Sequence, residues 1–237
     1  MNPRRVGLAA ARAAVVFCLL VTSFASVATA QTPQGATLTV LNGLVAVVKA
    51  SGAGIQPASS GISLAVGDQV GTVGHSSALL TFFEGSEMEL GEDTTIIIRE
   101  IRTSGSETHV TIEDVLGRTV SRIKTFANPN STYQVQNPGG QVTAVIRGSG
   151  IVLGVFPSGA VLVGAFDCSA ASPCILDIFG MMIRIVGEGY FLVTPKGEII
   201  EVSPRDVPNI GDPHQDEPGK GDGNPDENDN KDQCGCD

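Results

Sequence analysis

Gly74-His75-Ser76-Ser77-Ala78 is the stretch that most invites a chemical reading, because a serine among small residues can stand as a nucleophile on a sharp elbow. That elbow requires a strand, a tight turn and then a helix. Here Leu79-Leu80-Thr81-Phe82-Phe83 follows, which reads as strand, so a catalytic Ser76 is not supported. The three histidines, His75, His109 and His214, lie far apart with no carboxylate or cysteine at ligand spacing, which argues against a catalytic zinc. His109 reads as a surface strand residue. Arg147-Gly148-Ser149-Gly150 has the glycines of a phosphate-cradling loop, but no lysine follows and no helix opens after it, so it reads as a strand-to-strand turn. With no tryptophan and only Tyr133 and Tyr190, the aromatic platforms of a sugar-binding module are lacking. The chain reads as non-enzymatic, with no cofactor.

Two groups of residues could still hold a metal or a covalent link. Asp222-Gly223-Asn224-Pro225-Asp226, followed by Asn228, Asp229 and Asp232, places oxygen ligands at alternate positions as calcium loops do. The calcium candidates are Asp222, Asn224, Asp226 and Asp229. Glu227 stands where an EF-hand loop has its glycine, and no bidentate glutamate closes the loop, so an acidic, solvated segment is the simpler reading. Of the five cysteines, Cys18 falls in an apolar leader. Cys168, Cys174, Cys234 and Cys236 remain, an even set that in an oxidising compartment suggests disulfides with three alternative pairings. Cys168 and Cys174 flank a short loop that a bridge between adjacent strands would close, and this pairing is preferred. A bridge within Cys234-Gly235-Cys236 would be strained, which leaves those thiols for the loop, another molecule or a metal.

The compartment follows from the start of the chain. Arg4, Arg5 and Arg12 precede an apolar run from Ala13 to Phe24, and Ala28-Thr29-Ala30 supplies small residues ahead of Gln31, the pattern of a cleaved signal peptide over residues 1–30. The run is shorter than the roughly 20 residues that cross a bilayer, so no stable transmembrane segment is expected after cleavage. The protein is expected to be exported, to a periplasm or to the cell surface. Removing three arginines takes the formal charge from -10 to -13, which excludes a nucleic-acid binder, since neutralising phosphates needs clustered Lys and Arg.

The intervening chain must supply whatever scaffold the protein has. With 29 glycines, 17% charged residues and hardly any long amphipathic pattern, it is neither a helical bundle nor a doubly wound α/β enzyme. From Ala36 to Val202 short apolar runs alternate with Gly, Pro, Asn and Ser, and turns recur at about ten-residue intervals. Such spacing predicts an all-β sandwich, barrel or solenoid over residues 31–203. The most helix-like stretch, Glu113 to Phe126, carries Val115, Leu116, Val120, Ile123 and Phe126, though Gly117 and Thr119 weaken the helix and leave strand as the alternative. Beyond residue 204 the composition shifts to Pro, Gly, Asp and Asn with two aliphatic residues, Val207 and Ile210. Residues 204–237 therefore read as a disordered acidic tail.

Leu64-Ala65-Val66-Gly67-Asp68-Gln69-Val70-Gly71-Thr72, then Ser77-Ala78-Leu79-Leu80-Thr81-Phe82-Phe83-Glu84-Gly85-Ser86, form an ordered pair of turn and strand motifs. Gly117-Arg118-Thr119-Val120, Tyr133 to Pro138, Thr143-Ala144-Val145-Ile146-Arg147-Gly148-Ser149 and Val186-Gly187-Glu188-Gly189-Tyr190 continue the series. In this order they resemble the FecR-domain family, with Glu84 in place of that family's Asp and Ser149 in place of its Thr. The resemblance spans roughly Leu38 to Val202 and implies a twisted, two-layered all-β domain, solenoid-like or sandwich-like. Gly67, Asp68, Thr72, Gly85, Ser86, Arg147, Gly148 and Ser149 carry the motifs, and their types suit turns and backbone locks rather than chemistry. The type member of the family relays a signal from an outer-membrane receptor to a cytoplasmic sigma factor through a segment preceding its membrane span. Only twelve residues precede the apolar run here, so the resemblance implies an exported FecR-like module without that anti-sigma segment, binding an envelope protein partner. The alternative is a structural or adhesive surface protein with a calcium- or disulfide-linked tail.

Overall fold

Strand β1 (Ala36–Val48) buries Ala36 and Leu38 at its start and Val45 and Val47 near its end, with residues 41–44 exposed between them. A strand whose inward residues change from even to odd numbers has inserted an extra residue. The register against β4 (Gln69–Phe82) shifts there, between Val40, Asn42 and Leu44. The insertion bends β1 so that its two halves lie in different layers. The computed structural model describes residues 35–205, and every regular element among them is a strand.

The same device recurs in β7 (Glu107–Arg122). Val110 and Ile112 face the core before Gly117, while Thr119 and Ser121, which pair with buried Leu90 and Met88, face it afterwards. The stretch with helix-like spacing is thus strand through Arg122. Its pseudo-helical pattern is the trace of this change of face. Gly117 sits at φ 90°, and a Cβ on it would lie 2.4 Å from the Thr94 Cα. Gly43 in β1 is similarly crowded, its Cβ position 2.2 Å from Ser76 Oγ.

Three long strands, β1, β4 and β7, therefore belong to two layers at once. The first layer contains β2 (Ile55–Pro57), the second half of β1 and the first half of β4. It continues through β6 (Thr95–Ser104), the first half of β7, β8 (Thr132–Gln136), β9 (Val142–Ile146), β12 (Cys174–Ile178) and β13 (Met181–Ile185). The second layer contains β3 (Ile62–Leu64), the other halves of β1 and β4, and β5 (Glu87–Leu90). It runs on through the second half of β7 to β10 (Gly150–Val155), β11 (Val161–Cys168), β14 (Gly187–Val193) and β15 (Ile199–Val202). All pairs are antiparallel except β7 with β8, whose parallel ladder requires the long connection over residues 123–131. The architecture is the sandwich-like form of the two-layered all-β fold expected from the sequence.

Between the layers lies one continuous apolar core. Val70, Ile98, Ile112, Val135, Ala144 and Leu176 come from the first layer, and Leu80, Phe82, Met88, Leu153 and Val163 from the second. Phe82 meets Tyr133 edge to face across the gap, ring centroids 5.5 Å apart. One strip of this interior is polar. Thr119 Oγ1 donates to Asp114 Oδ2 at 3.1 Å, while Asp114 Oδ1 has no hydrogen-bond partner among the described residues and the residue is fully buried. Burial pushes the Asp114 carboxyl well above the ordinary carboxylate range, and the Thr119 hydroxyl and Leu116 amide offset only part of this.

A carboxyl whose pKa is higher in the fold than in the free chain stabilises most at low pH, and the contribution is lost as pH rises past the raised value. Asp114→Asn is accordingly expected to melt above wild type at pH 8 by about 1–2 kcal/mol, or about 3–6 °C. The gap should close below about pH 4, where the free carboxyl is also protonated. Parallel wild-type and variant melting curves across this range would show that Asp114 does not titrate with folding.

Candidate functional site

The motif residues lie in turns and at the bends of the long strands. Gly67 donates its amide to Ile98 O at 2.8 Å, and a Cβ there would stand 2.8 Å from Ala50 Cβ. The Asp68 carboxylate is buried and accepts from the Ala50 and Ala65 amides, each at 2.9 Å, and from Lys49 Nζ at 2.7 Å. Thr72 Oγ1 donates to Gly91 O at 2.6 Å and accepts from the Thr94 amide at 2.9 Å, tying β4 to the turn between β5 and β6. Gly85 faces the Lys124 side chain, and Ser86 Oγ accepts from the Lys124 amide at 3.1 Å. Gly148 packs on Thr125, leaving no room for a Cβ, and Ser149 Oγ reaches both Gly148 O and Asp167 O.

Two of the sequence-derived positions depart from what their types suggest. Arg147 is exposed, and its side chain pairs with no carboxylate among the described residues. Glu84 buries both carboxylate oxygens without a hydrogen-bond partner among the described residues. Burial raises its pKa, and the charge of Lys124 offsets part of the rise.

Ser76, the residue of the would-be elbow, is committed to the backbone. Its Oγ accepts from the Leu44 amide at 2.8 Å and donates to Val73 O, locking the β1 bend onto β4. His75 is exposed and meets Glu92 at 2.9 Å, and His109 Nδ1 lies 3.0 Å from Thr132 Oγ1. No group of three metal-ligating side chains occurs among the described residues. The calcium candidates Asp222, Asn224, Asp226 and Asp229 lie outside the described residues, as do Cys234 and Cys236.

Cys168 and Cys174 are joined by a disulfide with Cα atoms 5.6 Å apart. It links the end of β11 in the second layer to the start of β12 in the first, fastening the two layers beside their open rim. Beyond β12 lies β13, and no described strand pairs with its other side. Phe179 and Gly180, at φ 53° and 82°, form the two-residue turn that suits an antiparallel hairpin. Ile178 and Met181 flank that turn as a hydrogen-bonded pair, so the alternation of the ladder aims the peptide groups of Met182 and Arg184 outward.

Proteins usually blunt such edges with charge, proline or brevity. The other edges follow this rule: β2 and β3 have three residues each, and β2 ends in Pro57. At the remaining edge, β15 carries Glu201, with Glu198 just before it. Around β13 the exposed residues are mostly apolar: Phe179 at 54%, Met181 at 52%, Met182 at 62% and Val186 at 52% exposure, with Arg184 the one charge on the strand. An open ladder edged by adaptable methionines has the chemistry to accept an added strand. Its edge position is not legible in the sequence, because pairing order is not written in local composition.

No family model matches the chain, and no curated protein matches it. Among solved structures it is similar to two crystal structures of a protein described as a "putative anti-sigma factor" from Parabacteroides distasonis ATCC 8503. The identities are 14% and 12%, and the TM-score is 0.46 in both cases. Each match covers 57% of this chain and 59% of the other, so this chain spans less than two thirds of the length of those structures.

Proposed function

We propose that this chain is an exported, non-enzymatic FecR-like module of the cell envelope that docks a protein partner in a signalling role, taking an extended segment of that partner as an additional strand beside β13. The observation that carries this reading is the edge of β13 that no described strand covers, with the outward peptide groups of Met182 and Arg184 and the exposed Phe179, Met181, Met182 and Val186 around them. The ordered series of FecR-like motifs and the leader sequence support the same reading. Ser76, the side chain that a nucleophilic reading would need, serves the bend of β1 instead.

The test is an envelope crosslinking pull-down with the mature protein and with Met182→Pro, read by mass spectrometry. Proline removes the outward N–H at the centre of the edge while leaving the β12 ladder intact, so its effect on stability should stay within about 1 kcal/mol. The expected result is one envelope protein recovered by wild type and lost with the variant. Equal recovery by both would remove strand addition, and recovery of the chain alone would remove the partner.

A further inference from the structure

The outer face of the second layer carries three strand glycines outside the positive-φ region: Gly150 and Gly154 on β10 and Gly164 on β11. Two of them are bare because the chain lays its own aromatic rings on them. A Cβ at Gly150 would lie 2.0 Å from the Phe166 ring, and one at Gly164 would lie 2.1 Å from the Tyr190 ring. In each case the ring comes from the residue directly across the ladder, and the Arg122 guanidinium stands 5.5 Å from the Phe166 ring centre. Rings laid over glycine in this way seal a sheet position that has no side chain of its own.

Gly154 is the exception. Its ladder neighbours are Arg118 and Leu162, and an added Cβ would meet Leu162 Cβ at 3.7 Å, Gly117 O at 3.8 Å and Phe156 Cζ at 3.8 Å, all ordinary contacts. Neither backbone conformation nor packing among the described residues requires glycine there. No register shift marks a bulge at this position, and a bare residue inside a regular strand is where a ligand or another backbone can come close. Above it opens a groove of about 520 Å³, walled by Arg118, Phe156, Pro157 and Leu162. Its size lies within the range of about 300–1,000 Å³ typical of ligand sites.

We propose that this groove receives an aromatic side chain of a partner polypeptide, laid flat on the Gly154 peptide beside Arg118 as Phe166 is laid on Gly150 beside Arg122. From the proposed function the inference takes only that the partner is a polypeptide. The groove lies on the second layer, whereas β13 edges the first.

The test titrates the isotopically labelled full chain with N-acetylphenylalaninamide, and with N-acetylleucinamide as control, following amide shifts by NMR. Saturable shifts at Gly154, Leu162 and Arg118 are expected for the aromatic amide alone, with a Kd on the order of 1 mM. Gly154→Val, which fills the groove where a Cβ has room, should abolish them. If that variant loses its dispersed spectrum, Phe156→Ala, which removes one wall, should weaken them instead. No saturable shift at Gly154, or equal shifts with the leucine amide, would overturn the proposal. Tighter binding of free benzoate than of the amide would overturn the polypeptide part and assign the groove to a small aromatic ligand. Met182→Pro should leave the shifts unchanged, so failure at β13 and failure at Gly154 are told apart.

Discussion

Gly117→Ala is expected to lower the melting temperature by about 10 °C, a cost of about 3–5 kcal/mol. Two independent penalties combine. The residue sits at φ 90°, where a side chain strains the backbone by about 1–3 kcal/mol. Its Cβ would also press to within 2.4 Å of the Thr94 Cα and 2.7 Å of Asp93 O, which are backbone atoms that cannot rotate away. Gly105→Ala separates the two effects, because Gly105 has φ 62° with nothing within 4 Å of the added carbon. It should cost about 1 kcal/mol. Similar melting temperatures for the two variants, measured by circular dichroism, would show that the bend in β7 relaxes freely and that the layers are not held by it.

Asp68→Ala should cost about 2–4 kcal/mol, or about 6–10 °C, because it strips the acceptor from two backbone amides and from Lys49 at once. Burial by itself pushes the Asp68 carboxyl up, but Lys49 and the amides of Ala50 and Ala65 outweigh it and hold the pKa below the ordinary value. A group with a depressed pKa stabilises above its free-chain value near pH 4 and loses that contribution as pH falls through its folded value. The difference between wild type and Asp68→Ala should therefore be full at pH 7 and shrink below about pH 4. Asp68→Asn can restore only one acceptor, so it should recover less than half of the loss. A wild-type advantage that persists unchanged at pH 2 would mean that the carboxylate's charge contributes nothing to this turn. Asp114, with its pKa shifted the opposite way, gives the opposite slope in the same experiment.

Most strands were legible because their signals are local. Glu87-Met88-Glu89-Leu90 alternates cleanly, and the pairing of buried Met88 and Leu90 with Ser121 and Thr119 follows that alternation. The bends were not legible. At Gly117 the inward set changes from even to odd residues, which sets Leu116, Val120 and Ile123 at spacings close to those of a helix, and only the partners on either side reveal a strand that changes layers. Ser76 and Thr72 illustrate the same limit from the side of chemistry. Their hydroxyls bond backbone distant in sequence, Ser76 to Leu44 and Thr72 to Gly91 and Thr94, so the partners that make each a joint are not written beside them. The β13 edge and the Gly154 groove depend on which strands are absent beside them and on which rings cover neighbouring glycines. Both are properties of long-range pairing.

Because β1, β4 and β7 each run through both layers, melting either layer strips the other of its ladder partners, and neither half has an independent path to unfolding. Low-energy opening is then confined to strands that serve one layer and have one neighbour. Among these, β13 is held at its foot by the Cys168–Cys174 bridge next to its hairpin partner and by no described strand on its far side. The hairpin of β12 and β13 can therefore fray from the Phe179 tip while its base stays fastened. The strand proposed to receive a partner is thus one of those whose local fluctuations are weakly coupled to global stability, so its amides should exchange with solvent long before those of β7.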